Sequence, residues 1–244
     1  MEWRERDGVR WLEAAVDGAT AAFSTRIGGA SDAPWDTLNV AVKTGDEPVR
    51  VRENRGRLCS ALGLSVSRVV MARQVHGDRL LRHTGEQSPR IWADAVRSPE
   101  EADAHATAER GLAPMVMVAD CLPVALAGPG GVAMAHCGWR GLAAGLAAKA
   151  AGEVEAAAAA IGPGIGPCCY EVGEEVLAAF ADVPGAASGR RLDLVAVARH
   201  QLGEAGTAEI DASGLCVSCE RELFFSHRRD GERTGRQAGL IWRS

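Results

Sequence analysis

Apolar positions along the chain follow two rhythms. Short apolar runs or alternation predict strands over Ala19–Ser24, Val69–Gln74, Met115–Ala119, Leu122–Ala127, Val132–His136 and Leu223–Ser226. Helical spacing predicts helices over Val49–Leu62, Leu142–Ala160, Glu174–Ala181 and Leu192–Ala205. The second helix, within GLAAGLAAKAAGEVEAAAAA, is dominated by alanine, the strongest helix former. Strands and helices mix without strict alternation. That pattern predicts an α+β or mixed α/β fold rather than a doubly wound parallel sheet. Glycine-rich turns RIGGA, GPGG and GPGIGP punctuate the chain. None has the residue order of a phosphate-binding loop, and prolines interrupt the last, so these read as structural turns. No internal repeat or long polar linker interrupts the pattern, and 244 residues suit one large domain or two small ones.

Composition narrows the class. Hydrophobic residues make up 47% and charged residues 24% of 244, the balance of a soluble globular protein with a sizeable core. A net charge of -5 argues against nucleic acid as a partner. Lys43 and Lys149 are the only lysines, so single surface arginines carry little weight by themselves. The start, MEWRERDGVRWLEAAVDG, lacks the apolar core of a secretory signal, and no stretch reaches membrane-span length. A cytoplasmic protein with no membrane partner is expected. Seven cysteines, two of them adjacent at Cys168 and Cys169, then read as reduced thiols rather than a disulfide framework.

The reactive residues cluster at strand ends. In AHCGWRG, His136 and Cys137 point to opposite faces if the strand continues, so they make a poor pair. Partners for His136 come from RQVHG, which carries His76, and from VADCLPVALAG, which carries Cys121. Two imidazoles and a thiolate make a plausible three-ligand zinc set with an open fourth position. The same residues also fit a Cys–His nucleophilic dyad without metal. The intervals between them match no short metal motif. His-Glu-x-x-His is absent, as is the usual cytidine-deaminase signature. CVSC, Cys216 to Cys219, is a lone Cys-x-x-Cys; without a second pair nearby, the spacing favours neither a structural zinc site nor a redox pair.

Taken together, FSTRIGGAS, LNVAVKTGDEP, RQVHG, EADAHAT, VADCLPV, AHCGWRGL, IGPGIGPCCYEVG and FFSHRRDGERTGRQAGLI resemble the YfiH-like family, in the family's order, from about Phe23 to Ile241. That family is also called laccase-domain or polyphenol oxidase, and more recently purine nucleoside phosphorylase. The resemblance implies a four-layer α/β/β/α sandwich with mixed sheets. It implies a zinc site at His76, Cys121 and His136, with copper as the alternative metal. It implies phosphorolysis of adenosine, inosine, guanosine and methylthioadenosine, with adenosine deamination beside it. The partners are then a purine nucleoside and phosphate, in a monomer or small homo-oligomer. Three positions depart from the family: Cys137, where Ala is frequent; Gly164, where Cys is frequent; and His105, where an apolar residue is usual. His105 leaves open an extra ligand, against the plain reading of a partly exposed strand residue.

Phosphorolysis needs an anion grip, and guanidinium groups hold phosphate oxygens in bidentate fashion. Arg26 and Arg140, inside the shared motifs, are the candidates, with Asn39 for ribose or base. Asp120 is either a proton shuttle or a turn cap. Trp139 reads as core rather than stacking platform, and Arg228 and Arg229 line the site or mark a late strand and turn. Three rivals stay open. Copper-dependent phenol oxidation must manage with six histidines, too few for a multicopper centre. The others are a Cys121–His136 hydrolase or amidase acting on cell-wall-type substrates, and a non-catalytic partner protein.

Overall fold

Two mixed six-stranded sheets carry the molecule, seen in a computed structural model that describes residues 1–85 and 100–244. In the first sheet the order is β1 (Glu2–Arg6), β2 (Val9–Val16), β3 (Ala19–Ser24), β14 (Gln237–Trp242), β7 (Ala113–Val118) and β4 (Val69–Val70). In the second it is β13 (Glu209–Ala212), β10 (Ala158–Ile161), β8 (Leu122–Gly128), β9 (Gly131–Cys137), β6 (Ala104–Thr107) and β5 (Leu80–Arg82). A small ribbon pairs β11 (Ala187–Ser188) with β12 (Arg191–Leu192). The helices are α1 (Pro48–Leu62), α2 (Trp139–Ala143), α3 (Leu146–Val154), α4 (Glu174–Ala178), α5 (Leu194–Glu204) and α6 (His227–Asp230). Pairs β4–β7, β5–β6 and β10–β13 are parallel; the other pairs within the two large sheets are antiparallel.

Side-chain alternation sorts these elements into four layers. Along β8, Val124 and Leu126 face the helices while Ala125 and Ala127 face the other sheet. Along β9, Ala133, Ala135 and Cys137 face Leu146, Ala150 and Val154 of α3, with α5 beside it. Met134 on the opposite face packs between the sheets with Phe23, Val116 and Ile241. Leu58, Cys59 and Ala61 of α1 cover the outer face of the first sheet over Trp11, Met115 and Leu240. The result is the α/β/β/α sandwich the resemblance implies, with apolar layers on both sides of each sheet.

Several elements differ from the sequence expectation. The helix expected over Leu142–Ala160 breaks at Gly145 and ends at Glu155, both left-handed, and Ala158–Ile161 is a strand. Alanine propensity is overruled because β10 pairs with β8 on one edge and β13 on the other. Both edges satisfy its backbone, and its small side chains fit between packed layers. Leu223–Ser226 is not a strand but a turn leading into α6. There the Gln237 side chain accepts from Phe225 N–H and donates to Phe225 C=O, standing in for a strand partner. Gln74 does the same for Met117, so the strand expected over Val69–Gln74 keeps only Val69–Val70 as regular structure. Strands β1, β2, β5, β6, β11, β12, β13 and β14 were not among the expected elements.

Candidate metal centre

Cys121 immediately precedes β8 and His136 stands near the end of β9. The hairpin register sets Pro123 opposite His136 and Leu122 opposite Cys137, so Cys121 and His136 meet at one end of the second sheet. Cys137 turns the other way and is fully buried under the helices, so the expectation of opposite faces holds. His76 arrives from the loop after β4 with a left-handed backbone, φ 61°. A non-glycine residue adopts that conformation only when its surroundings hold it there.

The holder is Asp103, a fully buried residue just before β6. Its carboxylate accepts the N–H groups of Val75, His76 and Gly77 at 3.1, 2.9 and 2.8 Å. The same carboxylate lies 2.8 Å from His136 Nδ1, and Asp103 C=O accepts the His136 N–H. One acidic side chain thus shapes the His76 loop and orients the His136 ring. Carboxylates play this part behind metal-binding imidazoles. The His76 and His136 rings stand 4.8 Å apart, edge to face. One ligand atom from each of His76, Cys121 and His136 lies within 4.8 Å of the others.

The local electrostatics suit a bound cation. Burial by itself would push the Cys121 thiol up, but the His136 and His76 imidazoles beside it pull it down to about 6. Burial would lower His136, but the Cys121 thiolate and Asp103 raise it to about 9. A thiolate and two imidazoles form the borderline-soft donor set preferred by zinc and copper over magnesium or calcium, so these residues could hold such a metal. Gly138 makes room for it. A Cβ there would stand 2.8 Å from Cys121 Sγ and 3.4 Å from the His76 ring.

The three residues form the floor of a cavity of about 530 Å³. Its walls carry Lys43, Arg73, Arg140, Arg228 and Arg236, so a protein of net negative charge has a cationic cavity. Trp139 and Tyr170 add aromatic surface, and His227 stands at the edge of α6. Arg236 is half-buried, and its guanidinium donates to the carbonyls of Thr234 and Gly235. Arg228 lies over the Tyr170 ring and donates to Glu171 C=O at 2.6 Å.

Of the expected substrate contacts, Arg140 reaches the cavity and two do not. Arg26 lies in a separate surface depression, paired with Asp36 and stacked on Phe225, where it joins the Asp36 and Arg221 carbonyls. Asn39 is fully buried; it donates to Asp46, Thr44 and Ala41 and accepts the Arg236 N–H, so it supports the wall from behind. Both corrections have one cause: short polar side chains and guanidinium groups beside irregular loops are recruited to satisfy backbone groups. Asp120, left-handed at φ 98°, accepts from Ser226 Oγ and the Arg228 N–H and so fastens the start of α6. Arg229 holds the carbonyls of Val217, Ser218 and Phe224. His105 is not partly exposed: it is fully buried, accepts the Ala72 N–H, and pairs with His83 at 3.0 Å, apart from the metal-type cluster. Among the residues that the sequence reading did not single out are Asp103, Tyr170, Lys43, Arg73, His227 and Arg236. Asp103 left one trace, an acid between two alanines in EADAHAT.

The fold and the sequence together place the chain among the laccase-domain proteins. The chain belongs to that family: residues 20–244 match the one described as multi-copper polyphenol oxidoreductase laccase. It is 41% identical to "Purine nucleoside phosphorylase YfiH" of Escherichia coli over 92% of this chain and 94% of that protein. It is 35% identical to "Purine nucleoside phosphorylase YlmD" of Geobacillus stearothermophilus over 98% and 96%. The crystal structure of the Bacillus licheniformis hypothetical protein YfiH superposes with a TM-score of 0.89 at 31% identity, covering 99% of both chains. Relatives that bear an enzyme name over nearly their full length support an enzyme here. No helix among the described residues is long and apolar enough to cross a membrane.

Proposed function

We propose that residues 1–244 act as one catalytic domain, a zinc-dependent purine nucleoside phosphorylase taking adenosine, inosine, guanosine and methylthioadenosine, with adenosine deamination at the same site. The observation that carries this reading is the cationic cavity above His76, Cys121 and His136. Its volume suits a nucleoside with an anion beside it. The names of the relatives supply the reaction class.

His76, Cys121 and His136 would hold the metal, which supplies Lewis acidity at the cavity floor when bound. Asp103 fixes the His136 ring so that its other nitrogen faces the cavity. Arg140, Arg228 and Arg236 grip the phosphate that attacks C1′ of the ribose as the glycosidic C1′–N bond breaks and the purine leaves. Burial keeps the Tyr170 hydroxyl protonated, up at about 12, so it stands as a hydrogen-bond donor to the purine. Trp139 flanks the base.

One further arrangement favours a second reading. Cys121, His136 and Asp103 also have the order of a thiol nucleophile, its base and the base's orienter. Incubation of zinc-loaded protein with adenosine, with and without phosphate, separates these readings. Adenine with ribose 1-phosphate, formed only with phosphate, supports phosphorolysis, and inosine supports deamination. Absence of both, with Cys121-dependent amide cleavage by metal-free protein, overturns the proposal in favour of the hydrolase. Phenol oxidation has less support, because the other ligand-competent cluster among the described residues contains no histidine.

A further inference from the structure

The adjacent Cys168 and Cys169 and the lone CVSC segment share one place. Cys168 and Cys169 lie in the loop that follows β10, and Cys216 and Cys219 in the turn that follows β13. All four thiols are free, and their sulfur atoms lie within 4.8 Å of one another. Cys219 Sγ is 3.5 Å from both Cys168 Sγ and Cys169 Sγ. Four sulfurs around zinc at about 2.3 Å stand roughly 3.8 Å apart, so the observed spacing is that of a tetrahedral cage. The second Cys pair missing from the sequence pattern is therefore supplied by the fold.

The backbone around the cage is arranged for thiolates. The Gly166 N–H donates to Cys216 Sγ at 3.2 Å. The Ser218 N–H also points at that sulfur, and the Cys219 N–H donates to Cys216 C=O at 3.1 Å, which closes the turn. Arg229 grips the carbonyls of Val217 and Ser218 from outside, which keeps those peptides turned with N–H inward. Arg191 donates to Cys168 C=O, so one guanidinium stands behind each cysteine pair. Gly166 leaves the space: a Cβ there would lie 3.3 Å from Cys216 Cβ and 3.4 Å from Cys168 Sγ. The two loops are already joined by the Val217 N–H to Gly164 C=O.

We propose that Cys168, Cys169, Cys216 and Cys219 form a second, structural zinc site of the all-thiolate type, separate from the cavity cluster. Binding converts four thiols to thiolates and releases their protons to solvent. A closed four-sulfur shell leaves no position for substrate, so the site holds structure rather than performing chemistry. What it holds is one wall of the cavity. Tyr170 follows Cys169 directly, and the chain beyond Cys219 runs to His227 and Arg228. The Arg228–Tyr170 stack and the Arg228 bond to Glu171 C=O join these same two segments. Zinc would staple them from behind.

The test is zinc content per chain in protein purified under reductant, measured for wild type, Cys216→Ser/Cys219→Ser and His76→Ala/Cys121→Ala. The cysteine variant should carry one zinc fewer than wild type, and the cavity variant should retain the cysteine-site zinc whether or not the cavity binds metal. Loss of all zinc in the cavity variant, or unchanged zinc in the cysteine variant, overturns the proposal. If the cysteine variant does not fold, wild-type protein alone decides: the four thiols should resist alkylation until a chelator is added, and Tm should drop on chelation. Equal alkylation with and without chelator overturns it, as does an iron–thiolate spectrum or a disulfide within the four in metal-free protein.

Discussion

The Asp103 carboxylate lies 2.8 Å from His136 Nδ1 while accepting the His76 N–H at 2.9 Å. One buried acid thus positions two of the three candidate ligands. Asp103→Asn keeps an acceptor for the loop but loses the negative charge behind His136. Zinc affinity at the cavity site should fall about 10–100-fold, read by competition with a chromophoric chelator. Asp103→Ala also orphans three N–H groups and should cost at least about 2 kcal/mol in urea unfolding. Equal zinc affinity in Asp103→Asn and wild type would sink this role.

Gly138 is required for space, not for backbone freedom. Its φ of -82° is open to any residue, yet a methyl there would crowd Cys121 Sγ at 2.8 Å. Gly138→Ala should abolish metal binding at the cavity while leaving secondary structure unchanged. Calorimetric zinc titration with circular dichroism checks both halves.

Acid should destabilise the fold through His105. Burial, with His83 beside it, holds this imidazole down at about 3, whereas 6.5 is its ordinary value. The unfolded chain therefore binds more protons as pH falls below 6.5. Stability is present above that pH and is lost downward, by about 1.4 kcal/mol per pH unit until about pH 3. His83 is also lowered, chiefly by burial, and steepens the upper part of this slope. His105→Val should flatten the pH dependence of Tm between pH 6.5 and 4, although the unpaired Ala72 N–H costs about 1–3 kcal/mol at neutral pH.

Arg236 gives a specific test of the anion grip. Its guanidinium donates to two carbonyls of its own turn and faces the cavity. Arg236→Gln should raise KM for phosphate roughly 10- to 100-fold, the worth of one charged hydrogen bond, and move KM for the nucleoside much less. Steady-state kinetics with each substrate varied in turn reads the split. An equal rise in both constants would place Arg236 in general cavity structure instead.

Much was legible from sequence because it depends on local chemistry. Alternation places His136 and Cys137 on opposite faces, and strand ends offer Cys121 and His136 to an opening, whereas His76 reaches it from a loop beyond the short strand Val69–Val70. The family motifs carried the four layers. By contrast, the alanine run at Ala156–Ala160 has helical propensity, and only pairing with β8 and β13 turns its end into a strand. Leu223–Ser226 looks like a strand, and only the Gln237 side chain shows that it is a capped turn.

What the sequence determines by itself is the donor chemistry and the alternation that exposes it. What only the tertiary structure decides is company: Asp103 behind two histidines, Asn39 and Arg26 spent on loop backbone, Cys168 and Cys169 beside Cys216 and Cys219. The physical reason is that hydrogen bonds and metal cages act over a few ångströms between residues far apart in the chain. Spacing along the chain carries no record of such approaches until the sheets have brought them together.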